Sequence, residues 1–383
     1  PKKLKKAMTS VEVLSQKEIS TGNDINIAQV LNRVPSTWHC FSFSISSPND
    51  QELELNDIGF LRNSDDITQF VNLEYRIIKP VMVFRDFSIQ IGQFSKHDFG
   101  GNHNRSQYDL NTDIRFINNW TLDLGGGYRP VNYFNSTLRG GPRWRISKTG
   151  WQYFFIGSDS RKEFYFRTGA IISQWKENES SLFKIEAELN YQPSNALNIS
   201  IAPEFSSRPN KTQYITQVSY NDETRYVLGT IDNQTFQASL RVNYTLNPNL
   251  SIQYYGQPFV SRGVYKDIKY VTNPTATSLN DRFQLYSNDQ LSLSQGVYNI
   301  DENSDGLNDY SFNNPNFSQV QFNSNLVLRW EYIPGSELFL VWSQGVNSGI
   351  SPSNGLFEDL GTGILNQRPQ NIFLLKATYR FVL

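Results

Sequence analysis

The closing stretch, Asn371-Ile-Phe-Leu-Leu-Lys-Ala-Thr-Tyr-Arg-Phe-Val-Leu383, constrains the fold most. Phe373, Leu375, Ala377, Tyr379, Phe381 and Leu383 fall on one face, and Lys376, Thr378 and Arg380 on the other. Alternation with period two marks a β-strand whose two sides meet different surroundings. A soluble edge strand would rarely present so many apolar and aromatic side chains on one face. A transmembrane β-strand does so by design, with apolar residues toward lipid, polar ones toward a lumen and aromatics at the interface.

The same alternation recurs upstream. Phe183, Ile185, Ala187, Leu189 and Tyr191 oppose Lys184, Glu186, Glu188 and Asn190. Leu197, Ile199, Ile201, Pro203 and Phe205 oppose Asn198, Ser200, Glu204 and Ser206. Phe236, Ala238, Leu240, Val242 and Tyr244 oppose Gln237, Ser239, Arg241, Asn243 and Thr245, and Leu326, Leu328, Trp330 and Tyr332 oppose Asn325, Arg329 and Glu331. Continuous charged faces would be costly inside a packed sandwich and suit a water-filled lumen. Tight connections at Ile117–Trp120, Gln192–Asn195, Leu246–Asn249 and Ile333–Ser336 carry Pro/Asn/Gly turn chemistry. Long ones lie near 96–106, 131–143, 263–316 and 348–370. Alternating short and long connections are expected for periplasmic turns and extracellular loops.

These patterns predict an all-β fold, an antiparallel transmembrane β-barrel of about 16 strands over residues 37–383, with no helix after residue 37. The strands are expected at 38–47, 68–79, 83–95, 107–117, 120–131, 143–157, 162–175, 181–191, 196–207, 211–220, 224–231, 234–246, 250–262, 317–332, 337–347 and 371–383. An even count puts both ends of the barrel on the periplasmic side. A barrel of this size encloses an aqueous channel unless something fills it.

Composition agrees. Of 383 residues only 38% are hydrophobic, yet 14% are aromatic, with 20 Tyr and 26 Phe. There is no apolar run of the ~18 residues a transmembrane helix needs. A net charge of −1 argues against a nucleic-acid partner. One cysteine, Cys40, allows no intramolecular disulfide and no cysteine metal cluster. The opening Pro-Lys-Lys-Leu-Lys-Lys has no apolar segment behind it, so an exported chain is expected to be a mature form, or part of one.

Residues 1–36 are of a different kind. A Ser10-Val-Glu-Val13 strand leads to a short helix at Asn26–Val34, stopped by Pro35. This stretch resembles the opening of the plug domain of TonB-dependent receptors, which implies a segment able to lie in the lumen. The other reading is a soluble terminal segment, or a fragment joined to an unrelated barrel.

The chain end is similar to the C-terminal signal of bacterial outer-membrane barrels, with Leu383 where Phe is common. Asn56–Asn63, Thr137–Pro142, Ser206–Tyr214 and Arg225–Asp232 resemble a family of outer-membrane proteins in which a carbohydrate-binding-like domain of family 9 type precedes a C-terminal barrel. The resemblance covers residues 38–383 and implies a barrel in the outer membrane of a Gram-negative cell. The expected partners are outer-membrane lipid and lipopolysaccharide, together with other outer-membrane or periplasmic proteins.

The sharpest local motif is Asp301-Glu-Asn-Ser-Asp-Gly-Leu-Asn-Asp309. Oxygen side chains at its first, third, fifth and ninth positions, with glycine at the sixth, make Asp301, Asn303, Asp305 and Asp309 candidate calcium ligands. Phe312 replaces the bidentate Glu of the full motif, so a solvated acidic turn is the alternative. Arg139, Arg143 and Arg145 around Gly140-Gly-Pro142 suit an anion contact in a constriction, or a structural loop at the membrane rim. His97 and His103 flank a glycine-rich loop that offers a metal site or scattered polar residues. A Ser–His hydrolase of the outer-membrane phospholipase type needs the pair adjacent on the barrel face, and nothing in the spacing marks one. Trp120, Trp151, Trp175, Trp330 and Trp342 read as interface anchors. Tyr254-Tyr255 suits strand packing or sugar stacking.

The function this supports is a non-enzymatic outer-membrane channel, or a subunit of an uptake or export complex, with no catalytic residues and no required cofactor beyond the candidate calcium. A TonB-dependent receptor-like transporter is the alternative. Ser36 to Leu383 is short for the ~22 strands of that class. An outer-membrane enzyme is the third reading.

Overall fold

The structure, a computed structural model, describes residues 67–98 and 100–381. The plug-like segment 1–36, His39, Cys40, the strand expected at 38–47, the 56–63 motif and Leu383 lie outside the described residues.

The chain is all-β and dominated by one large antiparallel sheet. Its first strands are β1 (Ile67–Ile77), β2 (Phe84–His97), β3 (His103–Phe116) and β4 (Thr121–Phe134). A two-residue β5 (Trp144–Arg145) is followed by β6 (Thr149–Gly157), β7 (Phe164–Trp175), β8 (Ser181–Ser194), β9 (Leu197–Ser207) and β10 (Asn210–Tyr220). Two long strands follow, β11 (Glu223–Asn247) and β12 (Leu250–Val271), then β13 (Phe283–Leu285), β14 (Leu291–Ser294), β15 (Val297–Ile300) and β16 (Tyr310–Asn313). The chain closes with β17 (Phe317–Ile333), β18 (Ser336–Ile350), a helix α1 (Leu356–Leu365) and β19 (Gln370–Ala377).

Thirteen strands pair in sequence as β1-β2-β3-β4-β6-β7-β8-β9-β11-β12-β17-β18-β19, with β5, β10 and β13 attached to the side. The described residues revise the expected count of 16 in two places, and a third expected strand lies outside them. The strand expected at 38–47 is not among the described residues. The segments 224–231 and 234–246 are one strand, β11. The 211–220 segment, β10, pairs only with the first half of β11 and leaves the main path. The expected 143–157 strand is also broken, because residues 146–148 leave the ladder between β5 and β6.

Pairing register shows why the wall forms. Leu124, Phe154, Ala170, Ile185, Phe205 and Phe236 are successive partners across six strands on one face. Leu73, Ile91 and Leu110 form a similar row on β1–β3. Much of this apolar face is uncovered: Ile91 is 57% and Leu110 53% exposed. On β8 it runs from Phe183 to Tyr191. That is about 26 Å along the strand at ~3.3 Å per residue, close to the ~25 Å apolar band of outer-membrane strands. The last strand keeps the expected face, since Phe373, Leu375 and Ala377 pair with Trp342, Leu340 and Leu338. Its polar face is less polar than expected, because Ile372 and Leu374 share it with Lys376.

Beyond the wall, β11 and β12 continue into a crown of different construction. Val227, Ile268, Tyr286, Ile300 and Tyr310 are buried together, with Ile215, Val218 and Tyr298 packed around them. The expected 263–316 loop is therefore largely structured, carrying the end of β12, β13 and the separate β14-β15-β16 sheet. A second small core joins Leu138, Trp144 and Leu228. An ion pair deep in the crown ties its parts: Arg282, 1% exposed, stands 3.3 Å from Glu179, 2% exposed. Arg282 also donates to the carbonyls of Ala276, Arg145 and Thr277, and Glu179 accepts from Ser147 N and Thr212 Oγ1.

The absence of helix after residue 37 is a further expectation corrected. Leu356, Leu360 and Ile364 of α1 pack on Val260, Val320, Phe205, Phe236 and Ile350, covering the apolar face at one end of the wall. Gly363 permits this approach, since a Cβ there would meet the Val320 side chain at 2.6 Å. The buried Asp359 accepts from Ser353 N at 2.8 Å and faces Arg262 Nε at 3.4 Å. Among the described residues no helix is long and apolar enough to cross a membrane.

Candidate functional site

The other face of the wall carries the chemistry. One row across it reads Asp113, Asp123, Phe155, Gly169, Glu186, Glu204, Gln237, Phe259, Gln321 and Asn347, each paired with the next. Charges are neutralised across strands. Lys184 bridges Glu186 at 2.8 Å and Glu204 at 3.1 Å, and Arg167 reaches Asp123 at 2.9 Å. Arg329 pairs with Glu337. Tyr153 donates to Asn111 at 2.9 Å, and Arg129 donates to Gln107 at 2.7 Å. A recess of about 270 Å³ opens among Phe155, Arg167, Glu186, Glu188, Glu204 and Gln237.

Large rings on this face lie down against the sheet. Trp151, Tyr153 and Phe155 of β6 occupy the space that side chains at Gly127, Gly125 and Gly169 would fill, where a Cβ would approach each ring to 2.5 Å or less. Arg129 then covers the Trp151 ring at 5.0 Å and Arg167 the Phe155 ring at 4.4 Å. Such cation–π contacts hold guanidinium groups in place without removing their charge. The result is a flat polar surface rather than a packed core.

This placement divides the expected tryptophan anchors. Trp330 and Trp342 stand on the exposed apolar face, but Trp151 and Trp175 belong to the polar face. Tyr254 and Tyr255 point to opposite faces, as neighbours on a strand must. Tyr255 donates to Gln257 at 2.6 Å beneath Arg241.

The arginine trio does not converge on an open constriction. Arg139 covers Tyr214 at 5.0 Å, and Arg143 and Arg145 share the Tyr133 ring at 4.0 and 5.7 Å. Arg143 also donates to His103 O, and Arg145 to Thr277 Oγ1. All three pin crown segments together.

His97 and His103 stack with ring centroids 4.6 Å apart, and no group of three His, Cys, Asp or Glu suited to a metal occurs among the described residues. Asp98 between them is buried. Burial works to raise its pKa, but hydrogen bonds from Asn102 and Asn104 and the nearby Arg143 hold it below the usual carboxylate value. Spacing alone did not reveal that Ser106 Oγ lies 2.9 Å from His103 Nε2. The same nitrogen is 3.0 Å from the Arg105 carbonyl, which only accepts. Nε2 therefore carries the proton, and His103 is not set up as a base for Ser106.

Asp301, Asn303, Asp305 and Asp309 do gather in one exposed turn. Their oxygens accept backbone N–H groups: Gly306 N to Asp301 at 2.7 Å, Leu307 N to Asp305 at 2.8 Å and Glu302 N to Asp309 at 2.7 Å. Asp305 N reaches both Asp301 and Asn303 at 3.0 Å. Gly306, with φ +89°, supplies the left-handed step such a turn requires.

Sequence reasoning missed a pocket where the crown meets the polar face. It measures about 390 Å³ and is lined by Arg129, Asn132, Trp175, Glu179, Arg208 and Tyr214, among others. Its residues come from β4, β7, β10 and the connections between them, so no local motif announces it.

No curated protein matches the chain. One family does, over residues 4–382, spanning the N-terminal segment and the wall together: the chain belongs to the family described as Domain of unknown function (DUF5916).

Proposed function

We propose that the chain is a transmembrane β-barrel of the Gram-negative outer membrane, without catalytic role, that acts as a channel or as a subunit of a larger uptake or export complex. The observation that carries this reading is the inversion of the wall. Away from the patch covered by α1, its bulky apolar residues lie uncovered, while charged and amide side chains share the opposite face. In water such a surface exceeds what a monomeric protein tolerates. In a bilayer it is the low-energy arrangement, because lipid replaces the missing core and a polar lumen hydrates the other side. The proposal requires that the free edges of β1 and β19 join, directly or through a further strand, since open edges are not tolerated in hydrocarbon. The crown then stands outside the membrane over the lumen mouth, and calcium in the 301–309 turn would stiffen one of its exposed corners.

Conductance of the purified protein in a planar lipid bilayer tests the channel reading. Steady unit conductance supports a passive pore. A silent bilayer, with the protein folded and inserted, removes the channel reading and leaves that of a complex subunit, to be sought by co-purification.

A further inference from the structure

The pocket between crown and polar face gathers polar groups that the wall does not use. Asn132 lines it and is only 3% exposed, yet its amide oxygen has no hydrogen-bond partner. A buried acceptor left unpaired is costly, so the site favours a molecule that donates to it. Arg208 lines the same pocket with no carboxylate partner among the described residues, its guanidinium 5.9 Å above the Trp175 ring. Arg129, also in the lining, bonds the neutral Gln107. The one acidic lining residue, Glu179, is offset by Arg282. Two arginines, the half-buried Arg129 and the exposed Arg208, thus share one pocket with an unanswered acceptor and an indole.

We propose that this pocket binds a small hydroxylated carboxylate of sugar-acid type, with the carboxylate on Arg208, a hydroxyl donating to Asn132 Oδ1 and the ring against Trp175. Guanidinium geometry matches a carboxylate bidentately. A neutral sugar would leave the arginines unanswered. An amino acid would bring its ammonium beside two cations, which Coulomb repulsion disfavours. The volume is at the lower end for ligand pockets, room for one ring and its water rather than a long chain. Ligand binding here goes beyond the channel reading and does not depend on it, so binding and conductance are separate readouts.

The test uses the full chain in detergent micelles with D-glucuronate as probe, D-glucose and inorganic phosphate as comparisons, and isothermal titration as readout. Glucuronate is expected to bind at least tenfold more tightly than either. Arg208→Gln and Asn132→Leu should each weaken it tenfold or more, whereas Arg208→Lys should retain part of the affinity. A β-rich circular-dichroism spectrum and an unchanged melting temperature show that each variant is folded. Equal binding of glucose would overturn the anionic part of the assignment, and equal binding of phosphate the hydroxyl and ring part. No binding of glucuronate to the folded wild-type chain, or an unchanged affinity in Arg208→Gln, would overturn the site.

Discussion

The wall and the crown solve opposite problems with the same strands. Along β11, Val227, Leu228 and Ile231 near one end are buried in the crown, while Tyr244 and Leu246 near the other are exposed. The crown hides tyrosines and aliphatics in the manner of a water-soluble domain. The wall displays them and keeps its charges on the reverse face. A strand records its solvent in which face it spends its apolar residues on, and here the record changes partway along a single strand.

The largest expected effect breaks the crown alone. Arg282→Met leaves Glu179 buried and unpaired, which should cost the crown about 3–5 kcal/mol. Limited proteolysis between 272 and 316 should accelerate while heat-modifiable migration of the wall is retained. The double variant Arg282→Met, Glu179→Gln should recover much of the loss. If the single variant unfolds the wall as well, the two regions are not independent.

The next effect separates the two solvents. Ile185→Arg in the middle of the apolar face should destabilise bilayer-inserted protein by about 2–4 kcal/mol in urea titrations. Leu307→Arg, at a crown position 70% exposed, should stay within about 0.5 kcal/mol. Equal small effects at both sites would mean the wall faces water.

Smaller still is a pH signature of the crown. Burial lowers the Lys269 pKa to about 8, and its ammonium donates to Lys211 O at 2.8 Å and Thr230 Oγ1 at 2.9 Å. The unfolded chain holds this proton up to its ordinary pKa of about 10.4, while the folded chain releases it near 8. Crown stability should therefore rise between those values, by at most about 1.4 kcal/mol per pH unit. Tyr286 and Tyr310 act the other way above pH ~10. Burial first, then their contacts with each other and with Glu302, raises the Tyr310 pKa, and burial dominates for Tyr286. Thermal scans of the crown should peak between these limits, and Lys269→Met should flatten the rising limb.

The smallest effect concerns calcium. At tenfold excess over its dissociation constant, calcium should raise crown stability by about 1.4 kcal/mol, and Asp301→Asn should abolish the gain. An unchanged melting curve in millimolar calcium would leave the turn to its backbone hydrogen bonds.

How much of this was legible follows from the physics of each part. Period-two alternation at 183–191, 197–206, 236–245 and 326–332 identified both faces of the wall, because successive side chains on a strand point to opposite faces. The helix at 356–365 stayed hidden. Its N-cap, Gly355, makes no side-chain capping bond, and Gly361 and Gly363 are poor helix formers, of which Gly363 alone sits in close contact with Val320. The crown strands were obscured because each is only three or four residues long and is stabilised by tertiary burial rather than pattern. The strands expected at 224–231 and 234–246 are continuous because Asp232 and Asn233, polar residues between them, stay paired with β12. The pocket around Asn132 and Arg208 could not be read at all, since only the fold brings its residues together.

The central claim is that the apolar face of the wall meets lipid. Single-tryptophan variants retaining only Trp342 or only Trp151, reconstituted in vesicles of brominated lipid, test it most directly. The account predicts strong quenching of Trp342, on the apolar face, and weak quenching of Trp151, folded over Gly127 on the polar face. Equal quenching of the two, or a protein that stays in solution without inserting, would contradict it.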